Sequence, residues 1–379
     1  MAERRREVGC QVRVVMLSKA CIVGAYQRKL EEIAALGVEL TVLVPPLWRE
    51  SGREMVLERA HTAGYALEVL PMACNGHFHL HFYPGLGRAL RRLRPDVCHI
   101  DEEPYNLATF LALREARAVG ARSLFFTWQN LPRRYPPPFG TMEGYVLRHA
   151  DYALVGNQEA EAVLRAKGYR GPATLIPQFG VDPEIFRPQP AAAPPPEPFV
   201  VGFAGRLEPY KGVLDLVEAM AGLEGDWRLR LVGAGPLREA LAERAAALGV
   251  GARLSLEPAI SSLEMPGFYR ELHALVLPSR TMPNWKEQFG RVLVEAMACG
   301  VPVVGSDSGE IPNVIGDAGL IFPEGDVEAL RAVLQGLQRD PGLRADLARR
   351  GRERVLAHYT QAQIARATVE VYRRLLGDP

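Results

Sequence analysis

Two glutamates, Glu287 and Glu295, are separated by seven residues, and this spacing points most directly to chemistry. The residues from Arg291 favour a helix, which Gly300 ends. Gly290 therefore opens a helix whose first N–H groups can face an anion, as phosphate sites require. Glu295 falls inside that helix, where its carboxylate can accept hydrogen bonds from a vicinal diol such as a ribose, while Glu287 can meet another part of the same ligand. The pattern predicts a nucleotide-sugar site.

Two cations, Arg206 and Lys211, follow the apolar segment 200–204. A strand end that leads into a helix is where α/β sheets bind ligands, so both side chains can reach a diphosphate there. Charge-assisted hydrogen bonds contribute roughly 1.5 to 3 kcal/mol each, more than helix-dipole attraction alone supplies at a surface. The alternative is a surface turn with solvated charges.

The segment from Glu287 to residue 312 resembles the retaining glycosyltransferases of family 4, which have the two-domain GT-B fold. In that family the first glutamate contacts the donor sugar, the second holds the ribose, and the backbone between them and two cations contact the diphosphate. The resemblance therefore implies catalytic roles for Glu287, Arg206 and Lys211. The donor-binding residues that it implies are Gly24, Arg206, Lys211, Pro258, Glu287, Gln288, Phe289, Gly290 and Glu295.

The N-terminal half departs from the family pattern. Members commonly carry a Gly-Gly loop after the first strand, whereas here only Gly24 could allow a close approach to the phosphates. A histidine that contacts the donor sugar in many members is replaced by Trp128, Gln129 and Asn130. Either amide could bond a sugar hydroxyl, and the indole offers a stacking face. A core tryptophan beside loop amides is an equal alternative.

Three carboxylates, Asp101, Glu102 and Glu103, precede a proline after a candidate strand. They could be the paired carboxylates of a glycoside hydrolase, but such residues also suit a helix N-terminus. We favour helix capping, and we keep Glu103 as a candidate for the acceptor site.

Three histidines, His77, His79 and His81, would share one face of an extended segment, as metal ligands do. Since no spaced carboxylate or cysteine completes such a site, we favour a loop on the acceptor side. We expect no metal at the active site.

Short apolar segments alternate with longer helical patterns, which predicts parallel sheets covered by helices. The candidate strands are 12–17, 39–44, 67–70, 97–100, 123–127, 153–155, 174–176, 200–204, 228–232, 253–256, 274–277, 302–304 and 320–322. A Pro/Ala-rich stretch, 188–198, is typical of a linker.

We therefore expect an α/β fold, to which the resemblance adds the GT-B architecture of two Rossmann-like doubly wound domains facing across a cleft. Residues 1–187 form the expected acceptor-binding domain and 199–358 the expected donor-binding domain. The resemblance also implies that the last helix, within 359–379, crosses back to the first domain.

Composition excludes several classes. A net charge of +1 over 379 residues argues against a nucleic-acid binder that depends on bulk electrostatics. Five cysteines without a Cys-x-x-Cys pair favour a reducing compartment. The apolar segment after arginines 4–6 is short for a signal peptide, and no stretch approaches the length of a membrane helix.

We expect a cytoplasmic protein, with a basic helical face that could contact an anionic membrane peripherally. That face comprises Arg88, Arg91, Arg92 and Arg94.

The resemblance implies a retaining hexosyltransferase that uses a UDP- or GDP-linked sugar, needs no cofactor, and serves a glycan, lipid-linked or small-molecule acceptor. No Asp-x-Asp pair is placed to bridge a divalent ion to the diphosphate, so we expect activity without a metal. Two alternatives stay open. One is another GT-B enzyme, such as a sugar-nucleotide epimerase or a phosphorylase, and the other is a nucleotide-sugar-binding protein without catalysis.

Overall fold

The computed structural model describes residues 11–50, 53–188 and 198–377. They form two compact units: the first contains the chain up to Gly180 and the segment from Gln361, and the second is Val181–Thr360. The chain thus passes into the second unit after Gly180, ahead of the boundary expected at residue 187. Most of the expected linker, 189–197, lies outside the described residues.

The first unit is built on a seven-stranded sheet, beside which two strands form a separate antiparallel pair. The strands are β1 (Arg13–Leu17), β2 (Glu39–Val44), β3 (Leu47–Glu50), β4 (Arg53–Val56), β5 (Ala66–Val69), β6 (Val97–Ile100), β7 (Arg122–Thr127), β8 (Tyr152–Val155) and β9 (Ala173–Leu175). The helices are α1 (Arg28–Ala35), α2 (Leu86–Leu93), α3 (Leu107–Ala118), α4 (Phe139–His149), α5 (Gln158–Ala166) and the last helix of the chain, α13 (Gln361–Leu376).

The large sheet has the order β5-β2-β1-β6-β7-β8-β9, and its neighbouring strands are all parallel. Every residue of β6 and β8 is buried. Strands of this kind read as continuous apolar segments because helices cover both faces of a parallel sheet. One core cluster accordingly joins β1 and β2 to α13, and another joins β6 and β7 to α3 and α4.

The second unit repeats this plan with six parallel strands in the order β12-β11-β10-β13-β14-β15. The strands are β10 (Phe199–Ala204), β11 (Trp227–Val232), β12 (Leu254–Glu257), β13 (Ala274–Leu277), β14 (Val303–Ser306) and β15 (Leu320–Phe322). The helices are α6 (Val213–Ala221), α7 (Arg238–Ala247), α8 (Met265–Arg270), α9 (Arg291–Ala298), α10 (Ile311–Ile315), α11 (Val327–Arg339) and α12 (Pro341–His358).

Each large sheet has one point where the order of strands reverses. It lies between β1 and β6 in the first unit and between β10 and β13 in the second. In open α/β sheets the crevice outside the carboxyl ends of the strands at such a point is where ligands bind. The segments that follow these four strands are therefore the places to look for functional side chains.

The last helix belongs to the first unit, as the resemblance implied. Its Tyr372 is buried, and the phenol oxygen lies 2.7 Å from Nδ1 of the buried His99 on β6. Ile364 and Val369 of the same helix lie in the core cluster of β1 and β2. The chain thus returns to its N-terminal unit through a helix that completes that unit's core.

All the predicted strands occur, with ends that differ by no more than two residues. The antiparallel pair β3–β4 was not predicted. Its sequence mixes the buried Trp48 with charged residues, and Arg49 and Glu54 form an ion pair of 3.0 Å across it. Such a small exposed hairpin lacks the apolar run by which the buried strands are recognised.

Candidate active site

The reversal point of the second unit joins two residues that the sequence predicted separately. Lys211 ends a 3-10 turn after β10, and its Nζ lies 2.6 Å from Oε2 of Glu287. Ser279, two residues after β13, donates its hydroxyl to the same oxygen at 2.8 Å. Because Glu287 is only 7% exposed, its carboxylate depends on these donors to offset the loss of water. Lys211 and Glu287 therefore act as one electrostatic unit.

Two aromatic rings lie next to the lysine of this pair. Nζ of Lys211 lies 4.8 Å from the ring centre of Trp285, which in turn lies 4.2 Å from the ring of Tyr210. The backbone N–H of Arg280 donates to the carbonyl of Tyr210, and the Arg280 guanidinium pairs with the buried Asp215 of α6. These contacts hold the turn that carries Lys211 against the segment after β13.

Glu295 lies in the second turn of α9 and is 5% exposed. The Tyr269 hydroxyl donates to its Oε2 at 2.7 Å, and Nε of Arg291 lies 3.0 Å from its Oε1. Burial raises the pKa of Glu295, and Arg291 and Tyr269 partly oppose this shift. A carboxylate has about four acceptor positions, so one that receives these two donors can also accept bonds from a diol.

Two glycines shape the backbone around the glutamates. Gly290, the residue that caps α9, has φ of 75°, a left-handed conformation that favours glycine. Gly309 follows β14 with φ of 58°, and a Cβ there would lie 2.1 Å from the carbonyl oxygen of Glu287. That same carbonyl accepts the N–H of Glu310 at 3.1 Å. The loop after β14 thus holds the backbone of Glu287 in place.

The residues between the two glutamates divide by burial: Gln288 is exposed, whereas Phe289 packs against Tyr359. Arg206 and Pro258 are also exposed, at the ends of β10 and β12. Within the described part of the chain, the guanidinium of Arg206 has no ion-pair or hydrogen-bond partner. The structure therefore brings Lys211 and Glu287 together, while Arg206, two residues after β10, has no carboxylate partner among the described residues.

The reversal point of the first unit carries a second, more deeply buried set of charges. Ser18 after β1 donates to Asp101 after β6 at 2.6 Å, and Lys19 forms an ion pair with Glu102. Nε2 of the buried His81 lies 3.4 Å from the other oxygen of Glu102. Burial alone would raise the pKa of Glu102, but Lys19 and His81 outweigh it and hold the value at about 2.

The expectation that this acidic segment caps a helix is wrong. Helix α3 begins only at Leu107, its capping residue is Asn106, and its first turn contains no acidic residue. The carboxylates instead bond to groups at the sheet edge, because they leave β6 beside the end of β1. A buried charge network therefore replaces the helix cap.

Unlike Asp101 and Glu102, the Glu103 side chain bonds to residues at the end of β7. It accepts hydrogen bonds from the Thr127 hydroxyl at 2.6 Å and from the Trp128 N–H at 2.8 Å. Burial raises the pKa of Glu103 to about 7, against the opposing effect of these two donors. The residue can therefore gain or lose a proton near neutrality, which suits an acceptor hydroxyl nearby.

Trp128, Gln129 and Asn130, which replace the family histidine, form most of their contacts within the first unit. The Trp128 indole N–H donates to the Gln178 side chain at 2.9 Å. The Gln129 amide oxygen accepts a hydrogen bond from Lys167 at 2.8 Å, and Gln129 and Asn130 are 6% and 7% exposed. This geometry favours the alternative of a core tryptophan beside loop amides.

Gly24 makes its close approach to the chain itself. Its N–H donates to the Glu58 carboxylate at 2.6 Å, and a Cβ at this position would lie 2.8 Å from Cβ of Ala60. The glycine is thus required by its own neighbours, whatever it does toward a ligand.

The three histidines do not share a face, because the segment forms turns in which the N–H groups of Leu80 and His81 bond to the carbonyl of His77. His81 is buried beside Glu102, whereas His79 packs among aromatic rings. Over the residues that the structure describes, no group of three or more His, Cys, Asp or Glu side chains could hold a metal ion.

The basic face predicted on α2 is partly neutralised. All four arginines are exposed, but Arg92 pairs with Glu68 and Arg91 lies 3.5 Å from Glu115, whereas Arg88 and Arg94 form no ion pair with the described residues. Among the helices within the described ranges, none is both long and apolar enough to cross a bilayer.

Sequence reasoning missed several residues of these sites, among them Ser279, Trp285, Lys19 and Thr127. Ser279 and Lys19 each follow a buried strand by two residues, the signal that had identified Arg206. Trp285 and Thr127 carry no such signal, since only the folded chain places them against Lys211 and Glu103.

Comparison with known proteins agrees with this division of the chain. Residues 23–178 match the family model described as a glycosyl transferase 4-like domain. Residues 186–354 match the model described as glycosyl transferases group 1. The first of these ranges lies within the first unit, and the second range lies within the second unit.

Curated relatives include D-inositol 3-phosphate glycosyltransferases. That of Mycobacterium marinum is 31% identical over 260 residues, which cover 64% of this chain and 54% of the relative. That of Streptomyces bingchenggensis is 34% identical over 247 residues, which cover 58% and 52%. The chain thus spans about half the length of the curated relatives it matches.

Solved structures share the fold over the whole chain. Sucrose-phosphate synthase from Thermosynechococcus elongatus superposes with a TM-score of 0.71 at 22% identity and covers 97% of this chain and 100% of its own. Anabaena HepE in complex with UDP superposes with a TM-score of 0.73 at 17% identity, with coverage of 96% and 100%. The first unit therefore matches a glycosyl transferase 4-like domain, the second unit matches the group 1 glycosyl transferases, and the chain has the GT-B fold.

Proposed function

We propose that the protein is a retaining, metal-independent glycosyltransferase that moves a hexose from a nucleoside diphosphate sugar to an acceptor hydroxyl. The observation that carries the proposal is the Lys211–Glu287 pair, which lies at a strand-order reversal and just before the N-terminus of α9. Such a place combines a cation, a hydroxyl-binding carboxylate and helix N–H groups, the three features that a diphosphate sugar requires.

Each group has a distinct part in donor binding. Lys211, Arg206 and the backbone of Gln288 to Gly290 bind the diphosphate, and Glu295 accepts bonds from the ribose. Glu287 bonds to the sugar, and Pro258 lies near the base. HepE, which has the same fold, was solved with UDP and with UDP-glucose, and this makes UDP-sugars the first donors to test.

The charged step is departure of the nucleoside diphosphate. As the bond between the sugar and the diphosphate breaks, Arg206, Lys211 and the start of α9 stabilise the negative charge that grows on the leaving group. The acceptor oxygen forms its bond on the face that the leaving group vacates, and its proton passes to the departing phosphate. The step needs no protein base and no divalent cation, because fixed cationic side chains already supply positive charge.

The first unit supplies the acceptor side of the reaction. Glu103 is its best-placed group, since its carboxyl lies at the end of β6 and titrates near neutrality. Acceptors of three kinds, glycans, lipid-linked sugars and small polyols, remain compatible with this site. We further propose a cytoplasmic protein without a bound cofactor, in which a peripheral membrane contact uses Arg88 and Arg94 rather than the paired Arg91 and Arg92.

The test is a donor screen in which UDP- and GDP-sugars are incubated with the protein and release of the nucleotide is measured. Transfer or slow hydrolysis of one donor, with the sugar keeping its anomeric configuration by NMR, supports the proposal. Activity should survive exhaustive chelation with EDTA. Loss of activity with EDTA and its recovery with manganese would contradict the metal-independent mechanism, while binding of a donor without turnover would indicate a binding protein.

A further inference from the structure

A surface groove of about 770 Å³ lies on the first unit between α3 and α4. Its apolar walls are Phe110 of α3 and Pro137, Pro138, Met142 and Tyr145 from the start and middle of α4. The centres of the Phe110 and Tyr145 rings lie 5.2 Å apart, and both rings line the groove. The volume is in the range of small-molecule sites, and nothing in the donor or acceptor chemistry uses it.

The two helices run in the same direction, which gives the groove two different ends. Phe110 contacts Tyr145, and further along both helices the Arg117 guanidinium donates to the carbonyl of His149. Pro137 and Pro138 therefore mark one end, and the C-terminal turns of both helices mark the other. The first end is apolar.

The other end is cationic. Arg148 of α4 lines the groove, and the Arg114 guanidinium of α3 lies 5.6 Å from the ring centre of Phe110. Both arginines are exposed, and neither forms an ion pair with a carboxylate anywhere in the described ranges. Arg148 in the groove and Arg114 beside its Phe110 wall are two guanidinium groups without a carboxylate partner, and they complement an anion joined to a hydrocarbon.

We propose that this groove binds a single-chain anionic amphiphile, with its hydrocarbon chain along Tyr145, Met142 and the two prolines and its phosphate or carboxylate on Arg114 and Arg148. The inference goes beyond the proposed transferase activity and does not depend on it. Four of the seven lining residues are apolar, and the hydrogen-bonding side chains are Thr141, Tyr145 and Arg148, so the groove suits a ligand that is mostly hydrocarbon with one polar end.

Calorimetry with dodecyl phosphate, below its critical micelle concentration, tests the site. We expect it to bind the unmodified chain, while inorganic phosphate and the uncharged dodecyl maltoside bind at least tenfold more weakly. Arg148→Ala and Arg114→Ala should each weaken dodecyl phosphate about tenfold, since each removes one charge-assisted bond. Thr141→Trp, which fills the groove from an exposed position on α4, should abolish binding.

Arg170→Ala is the matched control, because Arg170 is an exposed arginine of the same unit outside the groove. Thermal unfolding of each variant verifies that it is folded. If Thr141→Trp does not fold, the two arginine variants provide the test. Equal affinities in the groove variants and the Arg170→Ala control would overturn the proposal. So would binding to phosphatidylglycerol vesicles without binding of monomeric dodecyl phosphate, since that result would identify a bilayer-contacting surface. UDP binding, measured on the same preparations, tests the transferase proposal separately.

Discussion

At the scale of single residues, the ion pair between Lys211 and Glu287 changes what each side chain can be expected to do. The sequence indicates one residue for phosphate and the other for sugar, whereas the folded chain places their charged atoms 2.6 Å apart. Each therefore sets the orientation and the electrostatic environment of the other. A substitution of either residue acts on the pair, so effects on catalysis and on stability have to be separated.

Arg206 and Lys211 allow that separation. Both alanine variants should lower kcat about a hundredfold, by analogy with the loss of one donor to a developing anion. Arg206→Ala should leave the free energy of unfolding within about 0.5 kcal/mol, because its side chain is exposed. Lys211→Ala should lower it by about 1 to 3 kcal/mol, since the buried Glu287 carboxylate loses one of its hydrogen-bond donors and keeps Ser279. Urea denaturation and steady-state kinetics measure the two quantities.

A double variant provides the control for the ion pair. Lys211→Met combined with Glu287→Gln removes both charges, so it should regain most of the stability that Lys211→Ala loses without regaining activity. If Lys211→Ala is as stable as the unmodified chain, the 2.6 Å contact does not contribute to folding, and unchanged kinetics in both single variants would remove these cations from the phosphate site.

The two glutamates should differ in which ligand they affect. Glu295→Gln should weaken free UDP and UDP-sugar alike, about tenfold or more, because the ribose is common to both ligands. Glu287→Gln should weaken the UDP-sugar and leave free UDP almost unchanged. Calorimetry with both ligands decides the matter. Equal losses of UDP affinity in the two variants would show that the division between ribose and sugar is incorrect.

Glu103 should link stability to pH. Its pKa is raised from 4.5 to about 7, so between these values the folded chain keeps a proton that the unfolded chain has released. The unfolded state then binds fewer protons, and the stability contributed by Glu103 is full below pH 4.5 and falls as pH rises through 7. Relative to the unmodified chain, Glu103→Gln should therefore gain roughly 1 to 3 kcal/mol between pH 5 and pH 8.

Urea denaturation of both proteins at pH 5, 6, 7 and 8 measures this difference. Other groups whose pKa is raised by folding, such as Glu295, also make stability depend on pH. Their contributions cancel in the difference between the two proteins, because both proteins contain them. A difference that does not change with pH would mean that Glu103 is ionised throughout, and it could then serve the acceptor only as a fixed acceptor of hydrogen bonds.

At the scale of elements, strands were easier to predict than the ends of helices. A buried parallel strand such as β6 is apolar at nearly every position, and that signal survives without knowledge of its neighbours. The start of α3 could not be predicted in the same way. Asp101 to Glu103 have the composition of a helix cap, but long-range partners after β1 and on β7 compete for them, and the helix begins only at Leu107. Side-chain partners of that kind are visible only in the folded chain.

A buried hydrogen bond joins helix α13 to β6, in addition to its apolar contacts. Burial lowers the pKa of His99 to about 4, so the imidazole is neutral at pH 7 and needs the Tyr372 hydroxyl as a partner for Nδ1. Tyr372→Phe should therefore lower the free energy of unfolding by about 1 to 3 kcal/mol, the cost of leaving a buried polar atom unsatisfied. Tyr65→Phe, which removes a bond to the backbone of His61 at a less buried position, should cost less. Equal costs in denaturation experiments would indicate that the His99 contact contributes nothing specific.

At the scale of the whole molecule, both units place a lysine–glutamate pair at the reversal of strand order. Lys19 and Glu102 occupy that place in the first unit, and Lys211 and Glu287 occupy it in the second. The alternation of strands and helices predicts both sheets, and the carboxyl-end rule predicts which loops matter. It does not predict that the cations of these loops find carboxylate partners in the chain itself, since such pairs join segments 76 and 83 residues apart.

Because each unit has its own core, a ligand of one unit should stabilise that unit most. We expect UDP at a hundred times its Kd to add about 2.7 kcal/mol to the second unit, enough to raise its melting temperature by several degrees. Differential scanning calorimetry with and without UDP measures the shift, and Tyr372→Phe identifies the transition of the first unit by lowering it. Glu295→Gln should reduce the shift at the same UDP concentration. If UDP instead raises the transition that Tyr372→Phe lowers, the nucleotide binds the first unit, and Glu295 and its neighbours must be given another role.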